Sequence, residues 1–153
     1  MIAEQQDLKT TIKARATSLG FPLCGFTTVE PPAGYERYTS WLADGYHAGM
    51  MYLDSAYHRS ARQDPKILFP GVKSIIVLGL PYRLTTSQEI DQMNAGVICG
   101  YAVQADYHER IPQLLEPLAA LLQEISPTSA PPRIFTDSAP ILERELAMRA
   151  GLG

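Results

Sequence analysis

Residues 73–82, KSIIVLGLPY, form a continuous apolar run with no polar alternation. A strand that shows water one face alternates, so an unbroken run predicts a strand covered on both sides. Helices must supply that cover. Leu8, Ile12, Ala16 and Leu19 recur at helical spacing and predict an amphipathic helix closed by Gly20 and Pro22. LCGFTT (23–28) reads as a short strand. A second helix is predicted after the Pro31-Pro32 turn, with Tyr35, Tyr38, Trp41 and Leu42 inward and Gly45 as its stop. HAGMMYLD (47–54) predicts a short Met-rich helix.

Further along, VICGYA (97–102) reads as a weaker strand. Asp106 and Glu109 then predict reciprocal capping of a helix striped by Ile111, Leu114, Leu115, Leu118, Leu121, Leu122 and Ile125. Pro112 and Pro117 fall inside that stripe. Each removes a ladder hydrogen bond, which predicts a late or bent helix start. PRIFT (132–136) reads as a last strand and Pro140–Ala150 as a last helix. The expected class is α/β, a single domain over 1–153 with helices packed on a mixed sheet.

The chain has 153 residues, 46% of them hydrophobic, enough for one core. Thirteen basic against 16 acidic side chains give a net charge of −3, which argues against strong electrostatic nucleic-acid binding by this chain alone. Cys24 and Cys99 stand far apart, arguing against a disulfide framework or a self-contained metal site. His47, His58 and His108 share no ligand spacing, so no metal is expected. No run approaches the ~18 apolar residues of a membrane span. No signal-peptide core precedes the first helix, and a reducing cytoplasm is the expectation.

Asp137 is the leading chemical candidate. It follows a predicted strand at the turn into a helix, where ligand crevices of α/β sheets open. It could instead be a helix cap, although Pro140 lacks the N–H such a cap would bond, and Ser138 is better placed for Ile141. Arg62 is read as a charge in the loop before the main strand. It either pairs with Asp64 or offers its planar fork to an anion. Cys99 beside Gly100 is a small hydrophobe or part of a close approach to a ligand. Asp106, Tyr107 and His108 cluster at a helix start, where they could be structural or could orient a ligand and move protons.

Taken in order, WLADGYHAGMMYL (41–53), Arg62 with DPKILFPGVKSIIVLGLPY (64–82), CGYAVQADYH (99–108) and FTDSAPILERELAMRAGLG (135–153) resemble one family. They are similar to the N-terminal half of the epoxyqueuosine reductases, the cobalamin- and iron–sulfur-dependent enzymes that complete queuosine in tRNA. The resemblance implies a nitroreductase-like, cobalamin-binding half-domain. It also implies that the chain continues past Gly153 into a region holding two [4Fe–4S] clusters and a tRNA-binding tail.

By the same resemblance, Asp137 is the acid that protonates the epoxide oxygen as its carbon–oxygen bond opens. Arg62, Cys99, Tyr107 and His108 border the cobalamin. Burial against the corrin is expected to raise the Asp137 pKa and outweigh the opposing helix-end effect. Gly100 and Gln104 depart from the family pattern, which often has Arg and Gly there, and this points toward a paralogous branch with another substrate. Two other readings stand beside this one. A flavin reductase would need a basic phosphate cluster that the scattered cations do not supply. A non-catalytic module would dock a partner through the last helix and the polar loop 84–96.

Overall fold

The computed structural model describes residues 2–82, 99–127 and 130–153. The predicted strand residues 97 and 98 and the polar loop 84–96 lie outside them.

The first helix, α1 (Ile2–Ser18), carries Ile12 and Ala16 into the core, with Leu8 and Leu19 packed alongside. Gly20, at φ +97°, turns the chain out of it. β1 (Leu23–Thr27) follows, then α2 (Tyr35–Ala43). Gly45 ends α2 as predicted, with φ +75° and its N–H donating to the Leu42 carbonyl at 2.9 Å. Of the four inward residues predicted for α2, Leu42 is buried and the three aromatic side chains are half-buried. The Met-rich segment forms a short 3-10 turn, Met51–Asp54.

α3 (Ala56–Gln63) stands where the sequence predicts a loop around Arg62. Ser55 caps it, accepting the His58 N–H at 3.3 Å, and Ala61 is its one fully buried residue. β2 (Ile75–Gly79) pairs antiparallel with β1 in the register Leu23↔Gly79, Gly25↔Val77 and Thr27↔Ile75.

α4 (Tyr107–Ile125) rules out the late alternative of the expected late or bent start, because it is helical from Tyr107 onward with Pro112 and Pro117 inside it. Burial of Leu115 and Leu118 against α1 and β1 offsets the lost ladder bonds. Its cap is also different. Asp106 accepts the N–H of His108 at 2.9 Å and contacts His108 Nδ1 at 2.8 Å, with no reciprocal bond from Glu109. α5 (Glu143–Arg149) begins three residues later than predicted.

Helices on a sheet is therefore the architecture, and the sheet among the described residues has two strands. Residues 132–136 run without strand pairing. Pro131 and Pro132 bring no N–H donor into that stretch, and Ile134 reaches the core as an apolar side chain only. Cys99 likewise precedes a 3-10 turn (Gly100–Val103) and is exposed. The core joins Ile12, Ala16, Phe21, Cys24, Leu115 and Leu118. β2 is half-buried along its length, and Ile75–Leu78 border a cavity of about 540 Å³.

The far end of α5 is locked onto β1. A Cβ placed on Gly25 would stand 2.5 Å from the Ala150 carbonyl oxygen, so only glycine permits this approach. Arg149 adds donated bonds to the carbonyls of Glu30 at 2.9 Å and Thr28 at 3.3 Å, and to Thr28 Oγ1 at 2.9 Å. No helix among the described residues is long and apolar enough to cross a membrane.

Candidate active site

The cavity beside β2 is walled by Leu78, Leu80, Ile111, Leu115 and Ile134, and Tyr107, Thr136, Asp137 and Glu143 supply polar groups. A second cavity of about 370 Å³ shares Tyr107 and Asp137 and adds Tyr82, Tyr101, Gln104 and Arg110. Asp137 thus stands where two clefts meet.

Local geometry puts it there. Asp137 adopts φ +50°, one of two non-glycine residues in the left-handed region among those described. Aspartate tolerates that conformation better than most residues, at some conformational cost. Ser138 does not cap the following helix; its Oγ accepts the Thr136 N–H at 3.3 Å, and Ile141 donates to the Ala139 carbonyl at 2.8 Å. The chain between 136 and 142 is a set of tight bends. They turn the Asp137 carboxyl back toward the start of α4.

Two neighbours define the electrostatics. The Tyr107 hydroxyl donates to Asp137 Oδ2 at 2.7 Å, and the Asp137 N–H donates to Glu143 Oε1 at 3.1 Å. Burial pushes the Glu143 carboxyl up to about 7, and the hydrogen bond and charge of Asp137 add to the rise. Asp137 moves the opposite way, below its ordinary value, through its coupling to the neighbouring Glu143 carboxyl, the bond it accepts from Tyr107 and the proximity of His108. The rise expected for Asp137 is that of a carboxyl buried against a corrin; in the chain by itself Asp137 shifts downward. Its residue surface is exposed, so desolvation is outweighed, and the proton held near neutrality sits on Glu143. Tyr107 is pushed up to about 12, chiefly by its bond to Asp137.

Of the residues singled out from sequence, Tyr107, His108 and Asp137 come together. The rings of Tyr107 and His108 stack at 4.1 Å. Tyr82, Tyr101 and Tyr107 extend the wall edge to face, with centroids 5.7 and 5.9 Å apart. Cys99 lies two residues before Tyr101. Gln104 Nε2 reaches back to the Gly100 carbonyl at 3.4 Å, so the two departures from the family pattern touch each other.

Arg62 lies apart, and it is a helix residue, not a loop one. Its guanidinium sits over the Tyr38 ring at 5.0 Å and meets His58 Nδ1 at 3.1 Å, and it borders neither cavity. Burial and the Arg62 charge hold His58 below its ordinary pKa. Sequence reasoning missed Glu143 and the tyrosine wall. Among the described residues, no three His, Cys, Asp or Glu side chains converge in metal-binding geometry.

Comparison with known proteins bears on this arrangement. Residues 62–138, just over half of the chain, match the family described as epoxyqueuosine reductase QueG, DUF1730. An epoxyqueuosine reductase of Xanthomonas campestris pv. campestris is 35% identical over 152 residues, covering 96% of this chain and 42% of that protein. A solved epoxyqueuosine reductase with a tRNA-Tyr epoxyqueuosine-modified stem loop superposes with a TM-score of 0.79 at 26% identity. That superposition covers 97% of this chain and 39% of the other. A Bacillus subtilis epoxyqueuosine reductase, whose aspartate catalytic loop is swung out of the active site, superposes at 0.77 with 25% identity, again over 97% and 39%. The chain spans about two fifths of the length of these relatives. The matched stretch runs from Arg62 through the Tyr107–Asp137 pair, so the clefts and the acid lie where the family signature lies, and the chain belongs to the epoxyqueuosine reductase family.

Proposed function

We propose that residues 1–153 are the N-terminal part of a cytoplasmic, cobalamin-dependent reductase that converts epoxyqueuosine to queuosine in tRNA, with Asp137 as proton donor. The observation that carries this reading is the Tyr107–Asp137–Glu143 constellation at the junction of two clefts, inside a chain of this family. Opening an epoxide leaves an alkoxide, which departs poorly unless protonated, so a positioned acid is required. Asp137 has the reach, and Tyr107 fixes the orientation of its carboxyl.

The residues suit a cobalamin. The clefts offer apolar and aromatic walls for a large flat macrocycle, with Leu80, Tyr101, Tyr107 and Ile111 at their meeting point. Thr136 Oγ1, at the cavity wall, is buried without a hydrogen-bond partner and could serve a polar substituent. Tyr107 and His108 would border the cofactor and Cys99 would lie at its rim, whereas Arg62, which borders neither cleft, has no place in the part of the site built by these residues. When bound, cobalamin supplies the two-electron chemistry at carbon. Its electrons would come from [4Fe–4S] clusters held by cysteines outside these 153 residues.

On this reading Asp137 takes up its proton once cofactor and substrate cover its exposed carboxyl, since that burial would raise the pKa that is lowered in the chain alone. It gives that proton to the oxygen as the carbon–oxygen bond breaks. The tRNA partner follows from the substrate, since this chain at −3 offers no strong electrostatic attraction of its own. The test is Asp137→Asn in the full-length enzyme with epoxyqueuosine-modified tRNA. Asparagine keeps the shape and tolerates the left-handed backbone. A fall in kcat of about 100-fold or more, with tRNA affinity unchanged, is expected for loss of a general acid. Wild-type turnover by the variant would overturn the assignment.

A further inference from the structure

We propose that Glu143 is a positioning residue for Asp137: its carboxyl, set in the cavity wall at the start of α5, latches the 136–142 bends by accepting the Asp137 N–H. The inference rests on the reading of Asp137 as the proton donor and extends it to a residue that never touches the reacting oxygen.

The geometry points one way. Asp137 occupies a backbone conformation that a side-chain-bearing residue adopts only when its surroundings hold it there. Its carboxyl is fixed from one side by the Tyr107 hydroxyl at 2.7 Å, and its backbone from the other by Glu143 at 3.1 Å. Between those anchors the chain makes its own short bends, through Ser138 and Ala139, with no long-range hydrogen bond among the described residues. Glu143 is itself well seated. It is half-buried, and the helix it begins is locked through Arg149 and Ala150 to β1 and the residues after it. The acid is therefore referenced to the sheet through a single carboxyl group.

The protonated Glu143 serves this role best. It accepts the Asp137 N–H with one oxygen and sets no second negative charge beside the Asp137 carboxylate. Its ionisation places two carboxylates against each other, and the like charges push the loop outward. The charged and titratable groups around the pair are Tyr107 and His108 from α4, Arg110 in the second cleft and Arg133 in the first. None of the four is a second acceptor for the Asp137 N–H.

The test uses the full-length enzyme with three substitutions, read by amide hydrogen exchange at residues 136–142, corrected for intrinsic rates, and by steady-state kinetics on epoxyqueuosine-modified tRNA. Glu143→Gln keeps an acceptor for the N–H and a donor for the carboxylate. It is expected to hold exchange protection and kcat within about threefold of wild type at pH 6. It should also stay level from pH 6 to 8, where the wild type loses activity as Glu143 ionises. Glu143→Ala is expected to speed exchange about tenfold or more and lower kcat at least tenfold, with KM within threefold, because the substrate-binding surface is intact. Asp137→Asn separates the two claims. If it abolishes turnover while Glu143→Ala leaves exchange and kcat unchanged, the latch is overturned and the acid stands. If Asp137→Asn turns over normally, the acid assignment is the one that fails. A Glu143→Gln variant as impaired as Glu143→Ala would also overturn the latch, since the conservative change should rescue it.

Discussion

The Tyr107 hydroxyl donates to Asp137 Oδ2 across 2.7 Å, joining the first residue of α4 to a bend thirty positions later. That bond sets the direction of the acid and holds its carboxyl in the ionised form more firmly than water would.

Replacing Tyr107 by Phe removes the donor while keeping the ring in the aromatic wall. The Asp137 pKa should rise, because one of the bonds that lowers it is gone. Carbon-13 titration of the aspartate carboxyls would read the shift. In the reductase proposed above, loosened orientation should cost about tenfold in kcat, equivalent to ~1.4 kcal/mol.

Glu143 makes stability pH-dependent. Its folded pKa, about 7, stands above the ordinary 4.5, so the folded chain holds a proton that the unfolded chain releases between those values. Its stabilising contribution is complete below pH 4.5 and is lost as pH rises through 7. Asp137, with its pKa lowered, contributes in the opposite sense and loses stability as the solution is acidified. Glu143→Gln should therefore raise Tm at pH 8, where the buried charge is removed, and change it little at pH 4. Discounted for the group's part exposure, the gain at pH 8 is on the order of 1 kcal/mol. Thermal melts at the two pH values check the sign.

Gly25→Ala should destabilise the fold by about 1–3 kcal/mol, the usual range for an overpacked contact. The new methyl would meet the Ala150 carbonyl at 2.5 Å and the Ala150 Cβ at 2.8 Å, and neither is the end of a flexible side chain. A lowered urea midpoint with an unchanged m-value is the expected result.

Arg62→Ala tests whether the arginine cluster is separate from the acid. The cation–π contact with Tyr38 should cost about 1 kcal/mol to remove. Proton NMR should show His58 rising toward its ordinary pKa once the neighbouring charge is gone. The titration of Asp137 and Glu143 should stay in place, since Arg62 contributes to neither.

The elements that could be read from sequence are those set by local spacing. α1 and the stripe of α4 bury the residues their periodicity marks, and β1 and β2 lie where apolar runs were bounded by turn residues. The late start considered for α4 is not taken: the cost of Pro112 and Pro117 is visible in the sequence, while the burial that offsets it is not. α3 was missed because it is short, polar and buries only Ala61, although Ser55 marked its start. The segment 132–136 shows that apolar character reports burial and not strand pairing, which depends on a neighbouring strand edge.

The site divides in the same way. Asp137 was accessible from its position after an apolar run and from the family resemblance, and Tyr107 and His108 from their motif. The protonation pattern was not, because it depends on which side chains fold back against Asp137. The signal for Glu143 was slight, a carboxylate six residues downstream closing the run A-P-I-L. Only the bends at 136–142 bring the two carboxyl groups together.

The clasp between Arg149 and Thr28 spans 121 positions of sequence. Contacts of such separation close large loops and are among the last to form as a chain collapses. The helix that carries Glu143 is held by that closure, so a chain that has already paired β1 with β2 would still lack the proposed acid in its aimed position. If the proposed function holds, a partly folded population in which this closure has not formed should be catalytically silent before it is visibly unstructured.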